Sequence, residues 1–154
     1  MIKFEGSEPI SVPCTVRFQT PTNLDRLADV LGWFARLQQP SIPEPVWLRC
    51  QLALAEGFTN AVRHAHRGFS SEVPIEIEVS LSPETIEMRI FDRGQPFDLE
   101  KKFREMSPET DRGATGGRGL KLMRDIADEL SYRPTPDGRN CLAIVKHVDP
   151  SPQR

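Results

Sequence analysis

The chain has 154 residues, of which 38% are hydrophobic and 27% are charged, so it has the size and composition of one globular domain with its own core. Its formal net charge of −2 gives no electrostatic reason to expect binding to nucleic acid or to an anionic membrane. No apolar run approaches the roughly 20 residues that span a bilayer, and the N-terminus lacks the apolar centre of a signal peptide. Three cysteines without metal-binding spacing, Cys14, Cys50 and Cys141, indicate free thiols, and we therefore expect a cytoplasmic protein.

The first half of the sequence predicts one strand and two helices. Residues 14–20 have the β-branched and aromatic content of a strand. A first helix is predicted by leucines at helical spacing after a possible cap at Thr22 or Asn23. A second, longer helix is expected to run from about Val46 to about Arg67.

A helical wheel divides the second helix into two faces. The apolar face, expected to pack on the core, carries Leu48, Ala55, Phe58, Val62 and Ala65. The polar face carries Glu56, Asn60, Arg63 and Arg67. Because Glu56 and Asn60 are one helical turn apart, they project from the same side. An amide oxygen there can bind Mg²⁺, and a carboxylate one turn earlier can accept a hydroxyl proton, although an ordinary solvated face has the same composition.

The second half of the sequence predicts most of a sheet. Apolar and charged residues alternate through "VPIEIEVSLSPETIEMRIFD", which indicates a hairpin with one buried face. A third helix is expected in "LKLMRDIADEL", and "SYRP" with "CLAIVKHV" is expected to form a closing antiparallel pair. The elements together predict an α/β (α+β) fold, a two-layer sandwich with a mixed, mostly antiparallel sheet and helices on one face.

Further candidate residues lie between the hairpin and the third helix. Asp92 ends a strand two residues before Gly94, so its carboxylate is placed to accept a hydrogen bond from a ligand amine, although an ordinary turn aspartate fits the same pattern. Three glycines, Gly116, Gly117 and Gly119, come directly before the helix, where backbone amides and the helix dipole suit a phosphate chain; a flexible loop is the alternative. The long polar segment between Gly94 and Gly116 is a candidate lid.

Three motifs, with a polar lid before the third, resemble in this order those of the GHKL ATPase/kinase superfamily, which includes the ATP-binding domains of gyrase, MutL and sensor histidine kinases. They are the helical E-x-x-x-N of "EGFTNAVRHAH", the strand-end D-x-G of "FDRGQPFD", and "GGRGLKLM". The phrases "TNAVRHAH", "DRGQPFD" and "GGRGLKLMRDIADEL" are most similar to those of the small anti-sigma factor serine/threonine kinases, where a proline such as Pro96 is often found in place of a second glycine. The resemblance implies a Bergerat-type ATP-binding fold, with a single histidine-kinase-like ATPase domain over residues 1–148 and a flexible tail over residues 149–154.

The resemblance implies roles for the residues of the second helix. Asn60 would coordinate Mg²⁺ between the phosphates of ATP. Glu56 would be the general base that takes the proton from a serine or threonine hydroxyl of the partner. His64 and His66 lie inside the ATP-binding domain and are not candidate phosphoacceptors.

The resemblance also implies how the other candidates would bind ATP. Asp92 would accept a hydrogen bond from the adenine amino group, and Gly94 would allow the base to approach. Gly117 and Gly119 would line the phosphates at the start of the third helix, and Gly116 would serve as a hinge of the lid.

The function implied by the resemblance is an ATP- and Mg²⁺-dependent protein serine/threonine kinase. Its substrate would be a small STAS-domain antagonist of an anti-sigma factor in a partner-switching pathway, and it would form a homodimer that holds a sigma factor inactive. An ATP-binding module that sequesters a partner without phosphotransfer is the alternative. A third possibility is an interaction domain that binds no nucleotide.

Overall fold

The computed structural model describes residues 11–106 and 117–149. Their helices and strands, in chain order, are β1 (Cys14–Pro21), a 3₁₀ turn (Leu24–Arg26), α1 (Leu27–Ala35), α2 (Glu44–Asn60), a π-helical turn (Ala61–Ala65), β2 (Pro74–Leu81), β3 (Thr85–Asp92), α3 (Leu99–Glu105), α4 (Gly117–Ile126), β4 (Glu129–Pro134) and β5 (Asn140–His147). Across these two ranges every helix is too short or too polar to cross a membrane.

The five strands form one sheet in the order β1-β2-β3-β5-β4. Each neighbouring pair is antiparallel, so the predicted hairpin and closing pair are confirmed, and the sheet is antiparallel throughout rather than mixed. Ile77 pairs with Ile90, and the next residue, Glu78, pairs with Arg89. Because side chains alternate along a strand, this register collects the apolar residues on one face and the charged residues on the other.

The core lies between the apolar face of the sheet and the helices. Four alternate residues of β2 are buried there: Ile75, Ile77, Val79 and Leu81. The rings of Phe34 on α1 and Trp47 on α2 stack at 4.3 Å within the same core. On the opposite face, Glu78 forms ion pairs with Arg17 and Arg89. The predicted two-layer α+β architecture is confirmed.

The second helix differs from the prediction in its extent and in its buried face. It begins at Glu44, and after Asn60 it continues as the π-helical turn, in which the His66 N–H donates to the Ala61 carbonyl at 2.9 Å. Leu48 was predicted to face the core but is 53% exposed. The buried face of α2 is instead formed by Trp47, Cys50, Ala53, Leu54, Gly57 and Phe58, several of which are small residues that give a weak hydrophobic signal.

The predicted polar lid contains a helix, α3, that the sequence reading did not identify. The side chain of Asp98 caps it by accepting a hydrogen bond from the Lys101 N–H at 3.0 Å. Gly116 and residues 150–154 lie outside the described residues, so the predicted hinge and tail stay predictions.

Candidate functional site

The side chain of Asp92 is buried at the end of β3, with 3% of the residue exposed. Its Oδ1 accepts hydrogen bonds from the Gly94 N–H and from Nδ2 of Asn140, each at 2.9 Å. The Tyr132 hydroxyl donates to Oδ2 at 2.9 Å and to Oδ1 at 3.2 Å. Burial and the neighbouring carboxylate raise the pKa of Tyr132, so the hydroxyl keeps its proton and remains a donor. Asp92 is therefore an acceptor whose orientation is fixed by partners on two other strands. An ordinary turn aspartate, the alternative considered from the sequence, would bond only to local backbone.

Asn140 and Tyr132 are residues of this site that the sequence reading missed. Asn140 lies directly opposite Asp92 in the pairing of β3 with β5, and its Nδ2 also donates to the Gly94 carbonyl at 2.8 Å. It precedes Leu142 and Ile144 on the apolar face of β5. An asparagine in line with these apolar residues was the signal available in the sequence. A carboxamide buried in such a stripe requires hydrogen-bond partners.

Gly94 packs directly against the π-helical turn that follows α2. A Cβ at this position would lie 2.0 Å from the carbonyl oxygen of Ala65 and 2.8 Å from its carbonyl carbon. Only a residue without a side chain fits, and the contact brings the segment after Asp92 onto the end of the helix that carries Glu56. Gly94 thus has a packing role in addition to the ligand role that the resemblance implies for it.

Glu56 lies against the first turn of α4. A Cβ on Gly119 would be 2.6 Å from Oε2 of Glu56 and 3.7 Å from its Cβ. Gly117 is the first residue of α4, so these two glycines form the start of the helix rather than a loop before it. A carboxylate beside a helix N-terminus is stabilised by the helix dipole, so Glu56 has a structural reason for its position as well as a chemical one.

Asn60 is the last residue of α2, one turn beyond Glu56, and its side chain is partly exposed. Its carboxamide oxygen is a hard donor of the kind that Mg²⁺ prefers. Mg²⁺ usually keeps several waters and binds substrate phosphates together with few protein ligands. The donor chemistry of Asn60 therefore fits a Mg²⁺ ion that is held jointly with phosphate oxygens.

Aromatic contacts attach the segment after Asp92 to the rest of the domain. The rings of Phe97 and Tyr132 stack at 4.3 Å with an angle of 19° between their planes. Lys102 lies 5.2 Å above the Phe97 ring. On the far side of α3, Phe103 contacts the guanidinium of Arg124 on α4 at 4.6 Å. Stacked rings beside a carboxylate acceptor form a surface suited to a planar base that carries an amino group.

The model of the histidine kinase-like ATPase domain matches residues 20–146 of this chain. The chain belongs to this family. The match includes α2, β3 and α4, which carry the candidate residues, and it confirms the resemblance to the GHKL superfamily that the three motifs indicated.

Similar curated proteins are serine-protein kinases named RsbW. The protein from Bacillus pumilus is 33% identical over 89 residues, which cover 54% of this chain and 55% of the relative. The proteins from Bacillus licheniformis and Listeria innocua are 29% and 31% identical over 85 residues, which cover 52% of this chain. The matched region spans about half the length of these relatives. They belong to the kinase branch that the motifs most resemble.

Two solved structures share the fold. The RsbU and RsbW domains of Rv1364c from Mycobacterium tuberculosis match with a TM-score of 0.60 and 15% identity over 89% of this chain and 33% of the other. The SiaB–SiaC complex from Pseudomonas aeruginosa matches with a TM-score of 0.51 and 14% identity over 86% of this chain and 89% of the other. At these identities the likeness supports the fold alone.

Proposed function

We propose that this protein is an ATP- and Mg²⁺-dependent serine/threonine kinase that acts in a partner-switching pathway. The observation that carries the proposal is the contact between Glu56 and the first turn of α4 at Gly119. It puts a carboxylate beside a helix N-terminus, where phosphate groups are favoured, in a chain whose curated relatives are serine-protein kinases.

The end of the site around Asp92 would bind the base. Its carboxylate would accept a hydrogen bond from the adenine amino group, and the donors from Tyr132 and Asn140 would keep it aimed in that direction. The stacked ring of Phe97 would supply apolar surface next to the base. This arrangement favours adenine over guanine, because guanine presents a carbonyl acceptor where adenine presents an amino donor.

The end of the site around Glu56 would carry the chemistry. ATP, when bound, supplies the phosphoryl group, and Mg²⁺ offsets the negative charge of the phosphates. The Asn60 oxygen would hold the metal, and the backbone amides at Gly117 and Gly119 would face the phosphates. Glu56 would accept the proton of the attacking hydroxyl. Gly116 would act as a hinge of the lid.

The partners in this proposal are those expected of the anti-sigma factor serine/threonine kinases that the motifs resemble. The phosphoryl acceptor would be a serine or threonine of a STAS-domain antagonist, and a homodimer of the kinase would hold a sigma factor inactive. The protein would act in the cytoplasm. The names of the RsbW relatives, which are serine-protein kinases, support the phosphorylation of a protein serine in this proposal.

Titration calorimetry of ATP, with and without Mg²⁺, tests the nucleotide site. We expect magnesium-dependent binding that Asp92→Asn abolishes, because an amide presents an N–H to the donors that now serve the carboxylate. Asp125→Asn, at an exposed position on α4, is the matched control and should bind as the natural protein does. Failure of the folded natural protein to bind ATP would refute the proposal.

Transfer of labelled phosphate to a STAS-domain protein tests the chemistry. Glu56→Gln keeps the size of the side chain and removes its basicity, so we expect transfer to fall by about 10²- to 10⁴-fold while ATP affinity changes little. Asn60→Ala should weaken both transfer and the magnesium dependence of binding. ATP binding without transfer by the natural protein would support the sequestering module instead.

A further inference from the structure

A buried histidine, His66, joins three separate backbone segments behind Asp92. It follows the π-helical turn and is 1% exposed. Its Nε2 accepts a hydrogen bond from the backbone N–H of Arg93 at 2.8 Å. Its Nδ1 lies 2.9 Å from the hydroxyl of Thr22, which follows β1. Of the two possible helix caps predicted there, Asn23 is the cap.

The hydrogen-bond partners fix where the proton of the ring lies. A backbone N–H only donates, so Nε2 has to be the unprotonated nitrogen. The proton of the neutral ring is then on Nδ1 and is donated to the Thr22 hydroxyl, which in turn donates to the Val73 carbonyl. Only the neutral Nδ1–H tautomer lets all three hydrogen bonds form at once.

The segment that contains Asp92 and Gly94 is thereby held from both sides. Asn140 binds the Asp92 carboxylate and the Gly94 carbonyl from the sheet side. His66 binds the N–H of the residue between them, Arg93, from the helix side. No rotation of this segment that turns the carboxylate can preserve both sets of bonds.

We propose that His66 is a positioning residue whose neutral ring holds the Asp92–Gly94 segment in the orientation that binds nucleotide, so that protonation of the ring weakens binding. The inference rests on the proposed function of this site. A protonated ring has an N–H on both nitrogens, and the one at Nε2 would face the Arg93 N–H, so the hydrogen bond is lost.

The surroundings of the ring favour the neutral form. Burial lowers the pKa of His66, and the charge of Arg93 acts in the same direction, whereas the charge of Asp92 opposes them. Phe69, which stacks on the ring at 4.9 Å, is uncharged.

Three variants separate the hydrogen bond from the shape of the ring. His66→Gln offers an acceptor that does not titrate, and His66→Phe fills the space without an acceptor. His64→Gln is the matched control: His64 lies in the π-helical turn that precedes His66, is partly exposed, and also has a lowered pKa, caused mainly by burial and then by Arg67.

The binding test is the affinity for Mg·ATP from about pH 8 down to about pH 4.5, because burial lowers the pKa of His66 below the usual histidine value of about 6.5. Because the terminal phosphate of ATP titrates in this range, each variant is compared with the natural protein at the same pH. Relative to His66→Gln, we expect the natural protein to lose about tenfold in affinity on acidification. His66→Phe should bind about tenfold more weakly than His66→Gln at every pH, and His64→Gln should follow the natural protein. A natural protein and His66→Gln with the same pH profile would overturn the proposal.

A nucleotide-free measurement separates this inference from the proposed function. In the NMR spectrum of the natural protein, the Arg93 amide resonance should move with the same pH midpoint as the His66 ring, and ring ¹⁵N shifts should report the Nδ1–H tautomer. If the chemical shift of the Arg93 amide does not change as the His66 ring titrates, the positioning role is refuted even if ATP binds. If the Arg93 amide shift follows the ring titration but ATP does not bind, the nucleotide site is refuted and the hydrogen bond between His66 and Arg93 still stands.

Discussion

Replacing Gly119 with alanine adds a methyl group between α4 and the side chain of Glu56. That methyl would lie 2.6 Å from Oε2, whereas ordinary contact begins at 3.4 Å, so the carboxylate has to retreat by close to 1 Å. The atom that moves is the tip of a flexible side chain, and the rotamer cost is about 0.5–1.5 kcal/mol. The higher helix propensity of alanine offsets up to about 1 kcal/mol of this. We therefore expect a stable, folded variant with a displaced Glu56.

The expected consequence is a defect in transfer. A displacement of about 1 Å of a reacting group can cost about 10²-fold in rate, so transfer of labelled phosphate to a STAS-domain protein should slow by about 10- to 100-fold. Calorimetry should show an ATP affinity within about threefold of the natural value, and thermal unfolding should show little change. The control is Gly32→Ala on α1, where an added Cβ meets nothing within 4 Å. It should leave the rate unchanged and raise stability by about 0.4–1 kcal/mol.

Two results would refute this reasoning. A folded Gly119→Ala protein that transfers phosphate at the natural rate would show that the position of Glu56 is not critical. A variant that loses ATP affinity but, when saturated, transfers normally would show that the added methyl group obstructs the nucleotide and does not displace Glu56.

Three further predictions concern stability. Gly94→Ala should destabilise the fold by about 1–3 kcal/mol in urea denaturation, because the added Cβ overlaps a backbone carbonyl of the π-helical turn; a natural midpoint would disprove that contact. Tyr132→Phe removes the hydroxyl bonded to Asp92 but keeps the stack on Phe97, and it should cost about 1–3 kcal/mol in the same assay; no loss would mean that the bond is not formed in solution. Because the pKa of His66 is lowered in the folded state, the unfolded state binds more protons, so the free energy of unfolding should fall as the pH drops below the unfolded pKa near 6.5. The difference in the free energy of unfolding between the natural protein and His66→Gln isolates this contribution. A difference that does not depend on pH would contradict the prediction.

The parts of the fold that the sequence predicted are those governed by local periodicity. Strand β2, and β3 as far as Ile90, alternate between buried apolar residues and partly exposed, mostly polar residues, as expected. Leu48 was misplaced because much of the buried face of α2 is made of small residues, Cys50, Ala53 and Gly57, which a wheel of large apolar side chains does not mark. Helix α3 was missed because it is short and mostly charged, although Asp98 three residues before Lys101 is a recognisable capping arrangement.

The sequence identified candidate site residues only where they belong to motifs. Asp92 and Glu56 were found in this way, and the contact of Glu56 with Gly119 brings two of the motifs together. The residues that orient Asp92 were not found, because Tyr132 and Asn140 belong to no motif and lie on β4 and β5, whose positions relative to β3 are fixed only by the complete strand order. Side-chain bonds across such separations depend on register, which a single sequence does not specify.

The two ends of the site differ in what a substitution can do to them. Around Asp92 the contacts are buried hydrogen bonds and a backbone-to-backbone approach at Gly94, so a change there disturbs the packing and lowers stability together with binding. Around Glu56 the contact with Gly119 involves the end of a side chain, which moves without disturbing the core. Stability and catalysis should therefore separate between Gly94→Ala and Gly119→Ala, although both replace a glycine in the same site with the same residue.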